Sequence, residues 1–259
     1  MKVFDAHIHF DKYEENDRQK IIESLSSNKI EGLINVSMDL ASCQENLKIA
    51  EVNPTIYPAF GFHPEQAIPS DGDVTEMFDW IGKHQDKMVA VGEVGLPYYL
   101  RTQENNSRFP YQQYVDLLEE FIKLAKKLDK PIILHAVYND APVVCDLLEK
   151  HTIERAHFHW FKGDQKTMER LIRNGFYVSL TPDILYEEET REVVKTFPLD
   201  LIMSETDGPW PFEGIFTNQM THPKMVHHVV REISEMKNIS LNEVYSLLYE
   251  NVRWFYRIK

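Results

Sequence analysis

Two histidines stand one residue apart near the start of the chain, in the stretch Phe4-Asp5-Ala6-His7-Ile8-His9-Phe10. Side chains alternate along a β-strand, so His7 and His9 would share one face of a strand while Ile8 points to the other. Two imidazoles on one face suit a divalent metal such as zinc, which binds histidine nitrogen at about 2.0–2.1 Å. Because an H-x-H pair is also frequent by chance, this interpretation depends on further ligands elsewhere.

Short apolar runs rich in β-branched and aromatic residues recur along the chain and alternate with segments of helical periodicity, the clearest at 111–128. We predict eight strands, at 3–7, 32–37, 56–61, 88–94, 131–135, 156–159, 175–180 and 200–204. Alternating strands and helices indicate right-handed βαβ units and a parallel sheet. Over 259 residues, eight units predict a single (β/α)8 TIM-barrel domain, residues 1–259, with an additional C-terminal helix at 241–258 that packs against the outside.

Histidine, glutamate and aspartate residues fall at the predicted carboxyl ends of these strands, where a TIM barrel carries its active site. Five strands supply six candidate ligands: His7, His9, Glu93, His135, His159 and Asp207. Four imidazoles and two carboxylates exceed the needs of one tetrahedral zinc, and they fit two divalent ions about 3.5–4 Å apart, bridged by a carboxylate and a hydroxide. Mixed nitrogen and oxygen ligands favour Zn, Mn, Co or Ni, whereas Mg prefers oxygen and suits the set less well.

The composition restricts the partners. A formal net charge of −13 excludes tight binding of duplex DNA through a general basic surface, so a nucleic-acid substrate would be recognised locally, and a small anionic substrate is equally compatible. The start of the chain does not resemble a secretory signal, and no apolar run approaches the roughly 18 residues of a membrane helix. Cys43 and Cys145 lack metal or redox spacing. We therefore expect a reduced cytoplasmic protein with no membrane contact and no evident obligate protein partner.

The stretches DAHIH, GFHP, GEVGL, ILHA, HWFKG and ETDGP, in this order, resemble the TatD family of metal-dependent hydrolases, a branch of the amidohydrolase-like barrels. The resemblance spans nearly the whole chain, including NVRWF at 251–255. It implies a TIM barrel with a divalent metal centre that hydrolyses phosphodiester bonds of DNA, often as an exonuclease. Carried across by motif, it implies one metal held by His7, His9, Glu93 and Asp207, and a second held by Glu93, His135 and His159.

The chain departs from this family at two places. Pro97 follows GEVGL, where the family usually has an acidic residue. Residues 209–223, PWPFEGIFTNQMTHP, contain no Lys or Arg, whereas the family typically has a basic loop there. Because this loop lacks the cations that would meet phosphate, metals would carry most of the charge neutralisation. We therefore expect a preference for short or single-stranded DNA ends over duplex interiors.

Residues near the predicted mouth of the barrel are candidates for substrate contact. His63, in GFHP, either orients a metal ligand or contacts phosphate, or it is an ordinary loop histidine. Four residues follow the fourth strand and would either stack a base and contact phosphates or merely cover the barrel: Tyr98, Tyr99, Arg101 and Arg108.

Two further residues share strand faces with predicted ligands. Glu205 shares its face with Asp207 and would either orient a ligand imidazole or form an ion pair in the barrel core. His157 shares its face with His159 but lies deeper, which favours a satisfied core histidine over an orienting residue.

The leading hypothesis for function is a two-metal phosphodiesterase that acts on DNA ends. In it, Glu93 bridges the metals and Asp207 orients the attacking hydroxide and takes its proton. A hydrolase of another ester, lactone or amide bond on the same centre is the alternative, favoured by the missing cations. A metal-binding scaffold without catalysis is a third hypothesis, which the retention of all six ligands disfavours.

Overall fold

Eight parallel strands form one sheet in the computed structural model, which describes residues 1–104 and 109–259. The strands are β1 (Val3–Ile8), β2 (Ile30–Asn35), β3 (Ile56–Phe60), β4 (Ala90–Gly95), β5 (Ile132–His135), β6 (Ala156–Phe158), β7 (Tyr177–Leu180) and β8 (Ile202–Ser204). Each strand pairs with the next in chain order, and the predicted ends agree with the observed ones to within two residues.

The two outer strands, β1 and β8, meet at their carboxyl ends. The His9 amide donates to Gly208 O at 2.8 Å, and the Asp207 amide donates to His7 O at 2.9 Å. These bonds bring the two edges of the sheet together, so the sheet is a nearly closed barrel. The predicted TIM-barrel fold is confirmed.

Ten α-helices in the described residues surround the barrel: α1 (Glu15–Leu25), α2 (Leu40–Val52), α3 (Asp71–Lys83), α4 (Tyr98–Glu104), α5 (Tyr111–Lys127), α6 (Asp140–Lys150), α7 (Gln165–Arg173), α8 (Glu188–Thr196), α9 (Val226–Lys237) and α10 (Leu241–Tyr256). In α5, Tyr114, Leu118, Phe121 and Ala125 recur every three or four residues and are buried, which gives the helix one apolar face toward the sheet. Within the described residues, no helix has both the length and the apolar character needed to cross a bilayer.

The C-terminal helix α10 packs across the amino-terminal end of the barrel, rather than only against its outside as predicted. Its Phe255 joins an apolar cluster with Phe4, Ile133 and Met203. The side-chain amide of Asn251 donates to Leu199 O at 2.9 Å and to Ile202 O at 2.7 Å, at the start of β8. The helix therefore covers the end of the barrel opposite to the predicted site.

Candidate metal centre

The pair of histidines on β1 faces two carboxylates that arrive from other strands. His7 Nε2 lies 3.1 Å and His9 Nε2 lies 3.2 Å from Glu93 Oε2, at the end of β4. The same two nitrogens lie 3.4 and 3.6 Å from Asp207 Oδ1, just after β8. These four side chains form a first group of potential ligands.

The second oxygen of Glu93 faces a second group. Glu93 Oε1 lies 3.1 Å from His135 Nδ1 and 2.7 Å from His159 Nε2, and these two nitrogens are 3.3 Å apart. The rings of His7 and His159 stack with centroids 3.8 Å apart, so the two groups adjoin. The structure thus brings all six predicted ligands together, with Glu93 between the two groups.

Local backbone features make this convergence feasible. The register of β4 on β5 places Gly95 beside His135, where a Cβ on Gly95 would lie 2.0 Å from His135 O. Only glycine therefore lets β4 and β5 approach this closely. Asp207 adopts a left-handed backbone conformation, with φ of 46°. Such strain in a residue other than glycine is often found at functional sites.

Buried Asp5, which the sequence analysis did not single out, fixes the segment that carries Asp207. Its carboxylate accepts the Thr206 amide at 2.9 Å and also the Thr206 hydroxyl. Burial raises the pKa of Asp5 to about 8 despite these hydrogen bonds. Asp5 lies two residues before His7, on the same face of β1, and this spacing is a signal that the sequence contains.

The donor set fits a divalent cation. His7, His9, Glu93, His135 and His159 are buried. Yet several of the ligand atoms have no hydrogen-bond partner among the described residues: both nitrogens of His7, His9 Nδ1, Glu93 Oε2, His159 Nδ1 and Asp207 Oδ1. A buried polar atom left unsatisfied costs about 1–3 kcal/mol, and coordination would relieve that cost. Among the described residues, four sets of three potential ligand atoms lie within 4.8 Å of one another, and two of them consist of predicted ligands alone: His7, His9 and Asp207, and Glu93, His135 and His159.

The electrostatics of the centre favour ionised carboxylates. Burial opposes the charge on Glu93, but the imidazoles of His159 and His7 hold its pKa well below the usual range. Burial and His159 disfavour a charge on His7, but Glu93 and Asp207 raise its pKa to about 9. The carboxylates thus attract positive charge to this centre, and a bound cation would take the place of the proton that His7 otherwise holds.

His63, a predicted substrate contact, lies at the edge of the centre. Its Nδ1 accepts the Glu65 amide at 3.1 Å, so the proton of the neutral ring sits on Nε2. Nε2 is 3.5 Å from Glu93 Oε1. Burial is the largest of the effects that hold the pKa of His63 well below its usual value, so the ring is neutral near pH 7. His63 therefore presents an N–H donor beside the predicted ligands.

A cavity of about 860 Å³ lies above the centre, and of the other predicted substrate contacts some line it and some do not. Tyr99 lines this cavity, with its ring 6.0 Å from that of His135. Arg101 does not line it, because its guanidinium binds Asp140 at 2.7 Å and stacks on Tyr111. Tyr98 packs against Tyr138, with ring centroids 4.8 Å apart, and also lies outside the lining.

These positions fit the alternative in which Tyr98 and Arg101 cover the barrel around α4, and their contact with substrate stays a prediction. Arg108 lies outside the described residues, and its role stays a prediction.

Glu205 lies behind His159, as expected for a residue that orients a ligand. Its Oε1 accepts the Trp160 amide at 2.7 Å and is 3.7 Å from His159 Nδ1, and its other oxygen accepts the Ser179 hydroxyl. His157 instead has both nitrogens occupied, by Ser179 Oγ at 2.7 Å and by the Tyr256 hydroxyl at 2.8 Å. His157 is thus a core histidine, and it reaches Glu205 only through Ser179.

Glu65 is a further acidic residue that the sequence analysis missed. Its Oε1 lies 3.2 Å from His135 Nε2, the nitrogen that faces away from Glu93. The carboxylate also accepts the amides of Tyr99 at 2.8 Å and Leu100 at 2.6 Å, at the start of α4. A carboxylate on the outer nitrogen of a ligand histidine fixes its orientation and raises its basicity. Its position two residues after His63, in the loop beyond β3, was the available signal.

A TIM barrel with a histidine and carboxylate centre at the carboxyl ends of its strands is typical of metal-dependent hydrolases with the amidohydrolase-like fold. The family model described as TatD related DNase matches residues 4–257, so the chain belongs to the TatD family.

Relatives extend over nearly the whole chain. An uncharacterized metal-dependent hydrolase of Haemophilus influenzae is 38% identical over 257 residues, which cover 99% of this chain and 100% of the relative. The human deoxyribonuclease TATDN3 is 25% identical over 258 residues, 96% of this chain and 92% of the relative. The crystal structure of YjjV, a TatD homologue of Escherichia coli, has the same fold, with a TM-score of 0.88 at 24% identity over 99% of this chain and 98% of that one.

Proposed function

We propose that this TatD-type hydrolase cleaves phosphodiester bonds at the ends of single-stranded or short DNA. The observation that carries the proposal is the position of Glu93, which offers one oxygen to each of two ligand groups at the base of a cavity. Two ions that share a carboxylate suit phosphoryl transfer, which needs charge neutralised at both the attacking and the leaving oxygen. The family description and the name of human TATDN3 also support a nuclease.

The six predicted ligands would hold one or two divalent ions, with Zn, Mn, Co or Ni favoured over Mg. His7, His9, Glu93 and Asp207 would hold the first, and Glu93, His135 and His159 the second. When bound, the ions would polarise the phosphoryl group and activate water for attack.

Two side chains of the protein take defined roles around that chemistry. Burial opposes a charge on Asp207, but His7 lowers its pKa below the ordinary value, so the carboxylate is ionised near neutral pH. We assign it the orientation of the attacking water and the acceptance of its proton. His63 presents its Nε2–H beside Glu93 and would donate to a non-bridging phosphoryl oxygen as negative charge develops there.

Hydrolysis of another ester, lactone or amide bond at the same centre is the second candidate. The charges around the cavity favour it, because the lining has five carboxylates, Glu65, Glu187 and Glu213 among them, against the two lysines Lys12 and Lys162, and residues 209–223 contribute no cation. This acidic mouth would also repel a long polyanion, which is why the proposed DNA substrate is restricted to ends.

A direct comparison of substrates tests the proposal. Full-length protein loaded with Mn or Zn would be given labelled single-stranded DNA, duplex DNA, bis(p-nitrophenyl) phosphate, and panels of carboxylic esters, lactones and amides. We expect release of nucleotides from single-stranded ends, slower reaction on duplex, and loss of both in Asp207→Asn. Turnover of esters, lactones or amides without any phosphodiester cleavage would establish the second candidate, and no turnover of any substrate would favour the scaffold.

A further inference from the structure

Trp160, immediately after His159, is held in a strained position at the cavity wall. Its backbone φ is 36°, a region that a bulky residue rarely adopts. Two carboxylates fix it there: Glu205 accepts its amide at 2.7 Å, and Asp183 Oδ2 accepts its indole Nε1–H at 2.7 Å. Strained residues that are held by buried partners cluster at functional sites, so we take the orientation of this indole to be functional.

The indole of Trp160 belongs to an aromatic wall. Trp210 packs edge-on against it with centroids 5.9 Å apart, and Phe212 supports it at 5.8 Å. Both tryptophans line the cavity together with His159 and Asp207, and Trp210 is 57% exposed. An exposed indole beside a held one offers a face on which a flat ring can stack.

Lys162 places a cation beside this wall. Its ammonium lies 5.7 Å from the Trp160 ring centroid, and its side chain is 15% exposed and lines the same cavity. It forms an ion pair with Asp183 Oδ2 at 3.6 Å, a distance longer than a hydrogen bond. The Asp183 carboxylate already accepts from Thr181, Thr190 and Trp160. The ammonium therefore keeps hydrogen-bond donors with which an anion in the cavity could pair.

We infer that Trp160, Lys162 and Trp210 form a subsite for a flat ring that carries one anionic group, of the kind found at the terminal nucleotide of a short strand. The ring stacks on the tryptophans and the anionic group meets Lys162, which supplies the cation that residues 209–223 lack. This inference rests on the proposed function, because it names the part of the substrate that is bound beside the metal centre.

The acidic residues around the subsite limit how much charge it accepts. Glu187 and Glu213 line the cavity, so further phosphates of a long strand would pass close to carboxylates. Repulsion between these carboxylates and the further phosphates disfavours a long strand, and it leaves the contacts of a compact ligand unchanged. The subsite thus selects one ring and one anion over an extended polyanion.

Calorimetric titration of the full-length, Mn-loaded protein tests the subsite with dTMP, thymidine, phenyl phosphate and inorganic phosphate. We expect dTMP to bind at least about tenfold more tightly than inorganic phosphate, since stacking of one base on an aromatic side chain adds roughly that much. Lys162→Met should weaken dTMP about tenfold and leave thymidine unchanged, and Lys162→Arg should restore dTMP binding. Trp210→Ala should weaken dTMP and thymidine alike and leave inorganic phosphate unchanged.

The matched control is Lys12→Met, which removes another lysine of the cavity lining, 46% exposed at the side chain. An equal loss of dTMP affinity in Lys12→Met and Lys162→Met would show a general effect of charge and overturn the subsite. The subsite would also be overturned if dTMP bound the wild-type protein no more tightly than inorganic phosphate does. Binding of phenyl phosphate as tight as that of dTMP would support the subsite and extend it to aryl phosphates.

Parallel turnover assays separate the two proposals. Cleavage of single-stranded DNA without preference for dTMP would reject the subsite alone. A clear dTMP preference with turnover confined to carboxylic esters would reject the proposed DNA hydrolysis and keep the subsite.

Discussion

The inward-facing side chains of the barrel are apolar at one end of the strands and polar at the other. On β5 and β8, Ile133 and Met203 share a face with His135 and Glu205, two residues further on. The first pair lies in the apolar cluster that α10 covers, whereas the second pair lies at the metal centre or directly behind it. One end of the barrel thus maximises packing, and the other keeps polar atoms ready for a ligand.

His157 and His159, two buried histidines on the same strand face, show the same difference between a core residue and a residue of the site. His157 has a hydrogen bond at each nitrogen, and burial lowers its pKa to about 3. His159 is also buried, but the carboxylates of Glu93 and Glu205 raise its pKa well above the usual value, and its Nδ1 has no hydrogen-bond partner among the described residues. The partners supplied by neighbouring strands decide whether a histidine stabilises the core or serves the site.

The largest effect is expected at the packed end. Phe255 is fully buried, with its ring 5.0 Å from that of Tyr177, so Phe255→Ala would leave a cavity beneath the barrel. We expect the free energy of unfolding to fall by about 3–5 kcal/mol. Denaturant unfolding measures this loss, with Trp254→Ala as a control on the same helix, where the side chain is 66% exposed. Equal losses in both variants would show that α10 does not close the barrel.

At the opposite end, Asp207→Asn should change turnover and leave the fold intact. Removal of the general base should lower kcat roughly 10²-fold or more, with little change in KM. Steady-state kinetics on single-stranded DNA, together with an unchanged midpoint of thermal unfolding, would check both halves of this expectation. Wild-type turnover in the variant would assign the activity to other residues.

Glu65→Gln should have an intermediate effect. The variant keeps one oxygen as an acceptor for the amide of Tyr99 or Leu100, and it loses the negative charge beside His135. We expect metal affinity at the second ligand group to fall about 10–100-fold, the usual cost of losing such a carboxylate. Chelator competition measures that affinity, and Glu76→Gln, on the exposed face of α3, is the matched control. Unchanged affinity in Glu65→Gln would limit Glu65 to fixing the start of α4.

The smallest effect on activity is expected for Arg101→Gln. Its guanidinium is engaged by Asp140 and Tyr111, so DNA hydrolysis should stay within about twofold of wild type. Loss of the cation beside buried Asp140 should cost about 1–3 kcal/mol of stability. A large rise in KM without loss of stability would instead show that Arg101 contacts the substrate.

The sequence alone was enough to predict the barrel and to place its six candidate ligands, because each ligand stands at the end of a strand and parallel strands end on one side of a sheet. Contacts between loops were not predictable in this way. Glu65 and His135 are 70 residues apart in sequence, and only the folded loop after β3 brings them together. Arg101 looked available because its partner, Asp140, comes from the start of a different helix. The strained Trp160 and the cation of Lys162 depend likewise on Asp183 and Glu205.

Metal stoichiometry in ligand variants tests the central claim, that Glu93 joins two ligand groups, most directly. Wild type, His159→Ala and Glu93→Gln would be equilibrated with Mn or Zn, dialysed, and analysed for bound metal by mass spectrometry. We predict that His159→Ala loses the second site preferentially and that Glu93→Gln loses metal from both groups. Unchanged metal content in both variants would contradict the shared centre.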